Sequence, residues 1–361
     1  MPQLLFCIER VLLVSKKSVA MMFPVRYRAE DLRSRYVLES AVLEPLAELE
    51  EVIPEDGVSS FLREADAVLT SWGVPFDATL IEQLESCKII GVASVGVDMV
   101  DVEAATQAGI VVTNVPDVFI EEVADHAMML LLSVIRQTKR MQTIIQEGEW
   151  YKGRTVLSKV PRPLGRTLGL IAFGSVARCV ARRAKPFGIK VIAYDPYVSE
   201  LVITGEGVEP VSFEELLERS DYVSMHAAHN DETHQMLDKA VFARMKKTAI
   251  VINTGRGPTI KESDLIQALQ SGEISGAGLD VLEQEPPDLN NPLLEMENVV
   301  VTPHVAAQST RMRPETRRRA AREIALVLQG KWPMSCVNPT VLPASGLQRW
   351  QPVSMERGPN R

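Results

Sequence analysis

Cysteine is scarce in this chain, with four among 361 residues. Cys7, Cys87, Cys179 and Cys336 are far apart and fit neither the paired spacing of a zinc site nor that of a redox dithiol. The pattern therefore predicts no metal site. It favours reduced thiols, as in a cytoplasmic protein, over a disulfide framework.

The sequence also lacks a long hydrophobic run and an excess of positive charge. The longest apolar stretch, Ala127–Ile135, is interrupted by Ser133. It is shorter than the roughly 20 residues that a transmembrane helix needs. The formal net charge is −8, whereas a nucleic-acid-binding protein needs a basic surface. We therefore predict neither a membrane span nor direct nucleic-acid binding.

Acidic residues are almost absent from the first 29 positions, where Glu9 stands alone beside five basic residues. Such a composition resembles a transit peptide, but Glu9 and Arg10 split the apolar run and argue against a secretory signal. Two interpretations stay open, namely a targeting segment and an extended or wrongly assigned start. The sequence does not choose between them.

The rest of the chain alternates short apolar runs with amphipathic segments, which predicts parallel β-sheets covered by helices. With 46% hydrophobic residues, the chain is long enough for two cores. Asp117 is placed to cap a long helix, and another helix is predicted over Ala306–Leu328. The predicted strands in the regular part are Lys88–Val92, Val111–Asn114, Thr167–Ala172, Lys190–Tyr194, Tyr222–Met225, Ala249–Ile252, Gly278–Leu282 and Val299–Thr302.

A dinucleotide fingerprint occupies the turn after the strand Thr167–Ala172. Against the pattern G-x-G-x-x-G/A, the chain has Ala172, Gly174 and Ala177. Alanine is an accepted third member, but Ala172 departs from the first glycine, which serves the tight turn. Any strand, glycine and helix in succession imitate this motif, so it is weak by itself.

Asp195 strengthens the nucleotide hypothesis. It lies 195 − 174 = 21 residues after Gly174, the distance expected for an acid that binds the adenosine ribose. A carboxylate there repels a 2′-phosphate, which favours NAD over NADP. The amides of Ser175 and Val176, at the helix start, are expected to face the pyrophosphate. Alternatively, Asp195 is a solvent-exposed turn residue before Pro196.

Three polar residues follow the ends of predicted strands, where parallel sheets open to ligands. They are Arg256, Glu285 and His304. A guanidinium, a carboxylate and an imidazole that converge there suit a 2-keto acid, because one binds the substrate carboxylate and another protonates the carbonyl. Taken singly, each has an ordinary alternative: a surface loop arginine, a turn acid before proline, and a structural histidine.

Together these motifs resemble the D-2-hydroxyacid dehydrogenase family, which includes phosphoglycerate, glyoxylate/hydroxypyruvate and formate dehydrogenases and the C-terminal binding proteins. The resemblance covers about residues 40–342. The matching pieces are Val95–Asp98, Asn114–Pro116, Glu122–His126, Gly188–Pro196, Asn253–Gly257, Gly278–Val281 and Thr302–His304.

The resemblance implies two Rossmann-like, doubly wound parallel-sheet α/β domains with a cleft between them. Residues 1–116 plus 308–342 would form a flavodoxin-like substrate-binding domain, and 117–307 an NAD-binding domain with a dimerisation arm. Residues 343–361, rich in proline, glycine and arginine, are predicted to be a disordered tail. A homodimer would form through the long helix from about Val118 and the arm Gly148–Arg166.

The resemblance also implies roles for the three polar residues. Arg256 would bind the carboxylate of a small 2-keto or 2-hydroxy acid and polarise its keto oxygen. His304 would be the acid in reduction and the base in oxidation. Glu285 would bond the far nitrogen of His304, and the separation 304 − 285 = 19 matches the family and selects Glu285 over Glu283.

Further residues are implied to bind cofactor and substrate. Asp280 would contact the nicotinamide amide, and the cofactor-binding residues would be Gly174, Ser175, Val176, Asp195, Thr254, Gly255, Arg256, Asp280 and His304. The amides of Val95 and Gly96 would hold the other oxygen of the substrate carboxylate, and Trp72 would line the mouth of the pocket. Val92 stands where phosphoglycerate-type members often have arginine, which weakens the case for a phosphorylated substrate.

Two histidines and one alternative function stay open. We interpret His126 as a residue of a helix face, whereas His226 follows a strand and either lies near the cofactor or packs locally. The main hypothesis is an NAD-dependent D-2-hydroxyacid dehydrogenase. The alternative is a scaffold with little turnover that senses NAD(H), like the corepressors among the C-terminal binding proteins.

Overall fold

The computed structural model describes residues 16–23, 36–53, 58–71 and 73–349. The predictions on Cys7 and Trp72 lie outside these residues. Two compact units are present. The described residues of Met1–Val118 and Thr310–Arg361 form the first unit, and Phe119–Ser309 form the second.

The first unit is built on a five-stranded sheet whose neighbouring strands are all parallel. The strand order is β2-β1-β3-β4-β5. Strands β3 and β4 are buried along their whole length, as expected of parallel strands covered on both faces. The strands are β1 (Lys17–Met22), β2 (Ala47–Glu51), β3 (Ala67–Thr70), β4 (Ile89–Val92) and β5 (Val111–Thr113). The helices are Val37–Leu43, Ser60–Glu64, Ala78–Ile81, Val102–Gln107 and Met312–Leu328.

Strand β1 corrects one part of the sequence interpretation. The sequence leaves open whether the first 29 residues are a targeting segment or a wrongly assigned start, yet residues 17–22 of this stretch form β1, which pairs with both β2 and β3 inside the sheet. The side chains of Val19 and Ala20 are fully buried. These residues therefore belong to the fold, because their apolar run is a sheet strand. Residues 1–15 and 24–35 lie outside the described part.

The second unit contains a seven-stranded parallel sheet in the order β12-β11-β10-β9-β6-β7-β8. The strands are β6 (Thr167–Ile171), β7 (Lys190–Tyr194), β8 (Glu209–Pro210), β9 (Tyr222–Met225), β10 (Ile250–Asn253), β11 (Gly276–Leu279) and β12 (Val299–Val301). The helices are Ile120–Ile135, Thr138–Gln146, Lys152–Leu157, Ser175–Ala184, Glu200–Gly205, Phe213–Arg219, Lys239–Arg244, Glu262–Ser271 and Pro292–Glu295. The predicted α/β class with two parallel sheets is confirmed.

The chain reverses its direction of travel across this second sheet at β6. From β6 it moves outward through β7 to β8, then returns to the other side of β6 as β9 and continues to β12. Parallel sheets bind ligands outside the carboxyl ends of their strands at such a reversal. The carboxyl edge around β6 and β9 is therefore where a nucleotide is expected.

The long helix differs from its prediction at both ends. It runs over Ile120–Ile135, and its N-cap is Phe119 without a side-chain bond. Asp117 does not cap it but forms an ion pair with Arg319 of the first unit, with 3.5 Å between Oδ2 and Nη2. A left-handed residue, Gln137 with φ of 51°, separates it from the next helix. Among the described helices, none combines the length and apolar character needed to cross a membrane.

The C-terminal segment returns to the first sheet. The buried side chain of Asn338 accepts a hydrogen bond from Val112 N (2.8 Å) and donates one to Ile110 O (2.9 Å), so it closes the edge at β5. The predicted disordered tail is wrong for residues 343–349. There Trp332 Nε1 donates to Leu347 O over 3.1 Å, and Gln348 pairs with Lys331. The remaining predicted tail lies outside the described residues.

Candidate active site

Three neighbouring strands of the second unit carry the three polar residues singled out in the sequence. Arg256 follows β10, Glu285 follows β11 and His304 follows β12. The three strands are adjacent and parallel. Their carboxyl ends therefore meet at one edge of the sheet, and all three residues lie in the loops of that edge.

His304 and Glu285 form a direct pair. Their Nδ1 and Oε2 atoms are 2.7 Å apart. The other carboxylate oxygen of Glu285 accepts the amide of Leu282 over 3.1 Å, which fixes the carboxylate. Because Nδ1 faces Glu285, Nε2 is directed to the opposite side of the ring. The exposed fraction of the His304 side chain is 42%, so water-borne molecules have access to the ring.

The loop that carries Arg256 is fastened by two buried polar residues. Asn253 Oδ1 accepts the amide of Gly255 (3.0 Å), and its Nδ2 donates to the carbonyl of Arg256 (3.0 Å). Thr259 Oγ1 donates to the same carbonyl over 2.7 Å. A Cβ atom at Gly257 would lie 1.8 Å from Leu282 O. Only glycine therefore lets this loop pack against the loop that leads to Glu285.

His304 itself has a left-handed backbone, with φ of 52°. The residue that holds this turn is Asp280, at the end of β11, which is 1% exposed. Its carbonyl accepts the amide of His304 (2.8 Å). Its carboxylate accepts the amides of Val305 (3.0 Å) and Ala306 (2.8 Å). Protein donors thus already bind this carboxylate, and the predicted contact with nicotinamide stays a prediction.

The turn after β6 explains the departure at Ala172. Its φ is 68°, so an alanine adopts the conformation for which the fingerprint uses glycine. Gly174 has an ordinary φ of −74° and is the N-cap of the helix Ser175–Ala184. A Cβ atom on Gly174 would meet no protein atom within 4 Å. The protein itself does not require glycine here, which fits a backbone that a ligand approaches closely.

Asp195 is neither free in solvent nor fully occupied. Its Oδ2 accepts the amide of Phe173 over 2.8 Å, and its Oδ1 accepts those of Tyr197 (2.8 Å) and Val198 (3.1 Å). The side chain therefore fastens the fingerprint turn to the loop after β7. A carboxylate has about four acceptor positions and three are used here, so capacity for one ribose hydroxyl remains.

Two residues beside the fingerprint turn differ in how their polar groups are satisfied. Thr254, 8% exposed, has a buried hydroxyl with no hydrogen-bond partner among the described residues. Such an orphaned group fits a ligand that donates or accepts there. His226 Nε2 instead lies 2.9 Å from Ser224 Oγ. Burial lowers the pKa of His226 to about 4, so its ring is neutral and packs locally.

The predicted carboxylate-binding amides lie in the first unit. Ser94 Oγ donates to the carbonyl of Gly96 (2.6 Å), and Asn114 Nδ2 donates to that of Val95 (2.7 Å). The amides of Val95 and Gly96 themselves donate to no acceptor among the described residues. Val92 ends β4 and is 3% exposed, so it belongs to the core of the sheet.

Several residues of this edge escape the sequence interpretation. His126, expected only on a helix face, has Nε2 2.8 Å from Thr302 Oγ1. Asn253 and Gly257 fasten the Arg256 loop, although only Thr254, Gly255 and Arg256 of their motif are singled out from the sequence. The available signal was the motif itself, since Asn253–Gly257 and Glu122–His126 both match the family.

The chain is similar to known proteins in both sequence and fold. Residues 128–306 match the family model described as D-isomer specific 2-hydroxyacid dehydrogenase, NAD binding domain. A glyoxylate reductase of Korarchaeum cryptofilum is 38% identical over 282 residues, which cover 78% of this chain and 85% of that protein. The structure of holo D-mandelate dehydrogenase from Rhodotorula graminis superposes with a TM-score of 0.80 and 28% identity, covering 89% of this chain and 98% of that one.

A third relative is longer than this chain. The D-3-phosphoglycerate dehydrogenase of Methanocaldococcus jannaschii is 36% identical over 314 residues, which cover 86% of this chain. The chain covers 59% of that protein. The likeness therefore concerns little more than half of the phosphoglycerate dehydrogenase.

The left-handed conformation of Ala172 gives a stability prediction. Such a conformation costs an L-residue about 1–2 kcal/mol. Glycine avoids that cost, but it loses more conformational entropy on folding than alanine, which lowers stability by about 0.5–1 kcal/mol. We expect Ala172→Gly to leave the free energy of unfolding unchanged or raise it by up to about 1.5 kcal/mol. Ala181→Gly, inside the helix Ser175–Ala184, should lower it by about 1 kcal/mol.

Urea denaturation of both variants measures the difference. An equal loss of stability in Ala172→Gly and Ala181→Gly would show that the turn at Ala172 carries no strain.

Proposed function

The chain belongs to the D-isomer specific 2-hydroxyacid dehydrogenase family, and we propose that it interconverts a small 2-keto acid and the corresponding D-2-hydroxy acid. It is an oxidoreductase of that family with an NAD-binding domain. The observation that carries the proposal is the His304–Glu285 pair, with 2.7 Å between Nδ1 and Oε2. Its members follow β12 and β11, at the same edge as β10, which leads to Arg256.

NAD is the cofactor, and the proposed binding residues lie along the carboxyl edge of the second sheet. The amides of Ser175 and Val176 begin a helix, where no intrahelical carbonyl accepts them, so they suit the pyrophosphate. Asp195 has acceptor capacity for a ribose hydroxyl beside the three amides that it already accepts. The hydroxyl of Thr254, without a partner among the described residues, and the neighbouring Gly255 suit the wall of the nicotinamide pocket.

Arg256 is proposed to bind the substrate. Its planar fork donates two hydrogen bonds at fixed geometry, so it holds a carboxylate and polarises the neighbouring keto oxygen. The amides of Val95 and Gly96 are proposed to bind the second carboxylate oxygen. Neither amide donates to an acceptor among the described residues, which supports this assignment.

His304 is proposed to move the proton. In reduction its Nε2 gives a proton to the keto oxygen, and in oxidation it takes the proton from the hydroxyl. Bound NADH supplies the hydride that completes the reduction. Glu285 lies 2.7 Å from Nδ1 and holds the ring in the orientation that leaves Nε2 for the substrate. The proton that His304 loses in reduction is regained from water, to which its ring has access.

The substrate is proposed to be a small, unphosphorylated 2-keto acid. The buried Val92 replaces the arginine expected for a phosphorylated substrate. Two relatives are named glyoxylate reductase and D-mandelate dehydrogenase. The acids in these names differ in the group attached to carbon 2. We therefore propose the common carboxylate and carbonyl as the recognised groups.

A cytoplasmic homodimer is proposed from the surface of the second unit. The arm Gly148–Arg166 carries three large exposed apolar side chains, namely Trp150 (66%), Tyr151 (78%) and Leu164 (54%). A second copy of the chain is the occupant that would bury them, since dimers of identical chains use the same surface twice. Cysteine scarcity supports a reducing compartment.

The function is tested by following NADH oxidation with glyoxylate, hydroxypyruvate, pyruvate, 2-ketoisocaproate and phenylpyruvate. We expect turnover of at least one of them. His304→Gln should lower kcat about 10²–10⁴-fold because the proton donor is lost. Glu285→Gln should lower kcat about 10-fold or more. The matched control is Glu283→Gln on the same loop, whose side chain bonds Gln235 (2.8 Å) and not His304; it should retain kcat.

Two results would contradict this function. If the wild type and His304→Gln had equal kcat, His304 would be excluded as the proton donor. Tight NADH binding without turnover of any keto acid would favour the scaffold that resembles a corepressor.

The dimer is tested by light scattering after size exclusion. We expect a mass about twice the 39.9 kDa of one chain. The double variant Trp150→Asp/Tyr151→Asp should shift the mass towards that of one chain, because charges replace the buried apolar contacts. Leu201→Asp is the control, since Leu201 is 82% exposed elsewhere on the same unit. A wild type that elutes as a monomer would exclude the dimer.

A further inference from the structure

A chain of hydrogen bonds connects a helix of the second unit to the turn that carries His304. His126, on the helix Ile120–Ile135, has Nε2 2.8 Å from Thr302 Oγ1 and 3.4 Å from Asp280 Oδ1. Thr302 Oγ1 lies 2.6 Å from the same Asp280 oxygen. The side chain of His126 is 16% exposed and that of Asp280 is 1% exposed, so water competes little for these bonds.

Elementary chemistry fixes the direction of this chain. Burial alone raises the pKa of Asp280, but hydrogen bonds from His126, Thr302, Val305 and Ala306 outweigh it and hold that pKa below its ordinary value. The carboxylate is therefore ionised and only accepts. The Thr302 hydroxyl must donate its single proton to Asp280. Its oxygen then accepts a proton from His126, whose Nε2 must carry hydrogen.

The Asp280 carboxylate also bonds to the backbone of the turn that carries His304. Asp280 accepts the amides of Val305 and Ala306, and its own carbonyl accepts the amide of His304. A left-handed conformation is sterically costly for a residue with a Cβ atom, so these bonds help to hold φ of 52° at His304. The direction of the His304 ring thus depends on where the Asp280 carboxylate is held.

We propose that His126 is a positioning residue for His304 and acts through Thr302 and Asp280. The inference rests on the proposed function, because it assigns a role in the same proton transfer. His126 orients the hydroxyl of Thr302, the hydroxyl and the ring fix Asp280 Oδ1, and Asp280 fixes the left-handed turn. In this account His126 never contacts the substrate.

Attachment of the helix to the sheet does not account for this network. The helix Ile120–Ile135 already packs through buried apolar side chains, including Leu130, Leu131 and Val134. Those contacts persist when a polar group is removed at His126. Three polar side chains that satisfy one another around the buried Asp280 fix a geometry more than they add stability.

The tautomer is tested first, in the protein without any substrate. Long-range nitrogen–proton NMR spectra of the ¹⁵N-histidine-labelled chain distinguish hydrogen on Nε2 from hydrogen on Nδ1. His126 is assigned by the signal that disappears in His126→Gln. We expect hydrogen on Nε2. A neutral ring with hydrogen only on Nδ1 would overturn the proposed direction of the chain.

Kinetics then test the positioning role. We expect His126→Phe and Thr302→Val each to lower kcat about 10–100-fold, since a misplaced catalytic group costs rates of this order. His126→Gln, which keeps a neutral donor, should recover most of the loss. The matched control for the threonine is Thr248→Val, at the opposite edge of the sheet near the start of β10, and it should retain kcat.

Two further readouts separate positioning from simple damage to the fold. The Kd for NADH, measured by fluorescence, should stay within about twofold of the wild type in His126→Phe, because the proposed pyrophosphate and ribose contacts at Ser175, Val176 and Asp195 are untouched. The double variant His126→Phe/Thr302→Val should lose little more than Thr302→Val alone, since both changes break one chain of bonds.

The outcomes distinguish the inference from the function on which it rests. If kcat falls in His304→Gln but equals that of the wild type in His126→Phe, the positioning role of His126 is wrong and the proposed function stands. Additive losses in the double variant, or no recovery in His126→Gln, would also overturn the role. If His304→Gln keeps kcat, the proposed function itself fails.

Discussion

The left-handed turn at His304 is the constraint on which the proposed chemistry depends. A residue with a Cβ atom avoids this conformation, so other bonds must hold it. The buried carboxylate of Asp280 supplies them by accepting two successive amides after His304. In this conformation the ring meets Glu285 through Nδ1 and directs Nε2 to the other side. Backbone geometry and acid–base geometry are therefore one feature of the molecule.

The sheet turns this local feature into a site. Arg256, Glu285 and His304 follow three adjacent parallel strands, and the fingerprint turn follows β6 on the same edge. Two of the described non-glycine residues with positive φ, Ala172 and His304, directly follow strand ends of this edge or lie close to them. Backbone strain of this kind concentrates at functional sites, where the surrounding structure holds it in place. The geometry is thus consistent with a preorganised edge that binds a nucleotide and an acid.

The sequence predicts much of this architecture because buried parallel strands are continuous apolar runs. The strands β4 to β7 and β9 to β12 lie within a few residues of their predicted positions. Arg256, Glu285 and His304 are also predictable, since each follows the end of such a run. The first strand was missed because a basic, apolar N-terminal segment also resembles a targeting signal.

Other features have no local signature. A glutamine does not indicate a left-handed conformation, yet Gln137 adopts one just after the long helix ends. Asp117 has the side chain of a helix cap, yet it pairs with Arg319, a residue distant in sequence. The contacts of His126 with Thr302 and Asp280 join residues more than 150 positions apart. Such features depend on tertiary packing, which a single sequence does not show.

The configuration of the product tests the central claim most directly. If Arg256 and His304 hold the keto acid in one orientation, hydride reaches a single face of the carbonyl. Chiral chromatography of the hydroxy acid formed from pyruvate, hydroxypyruvate or phenylpyruvate, whichever the protein reduces, should then show the D-isomer alone. An L-isomer or a racemic product would contradict the account.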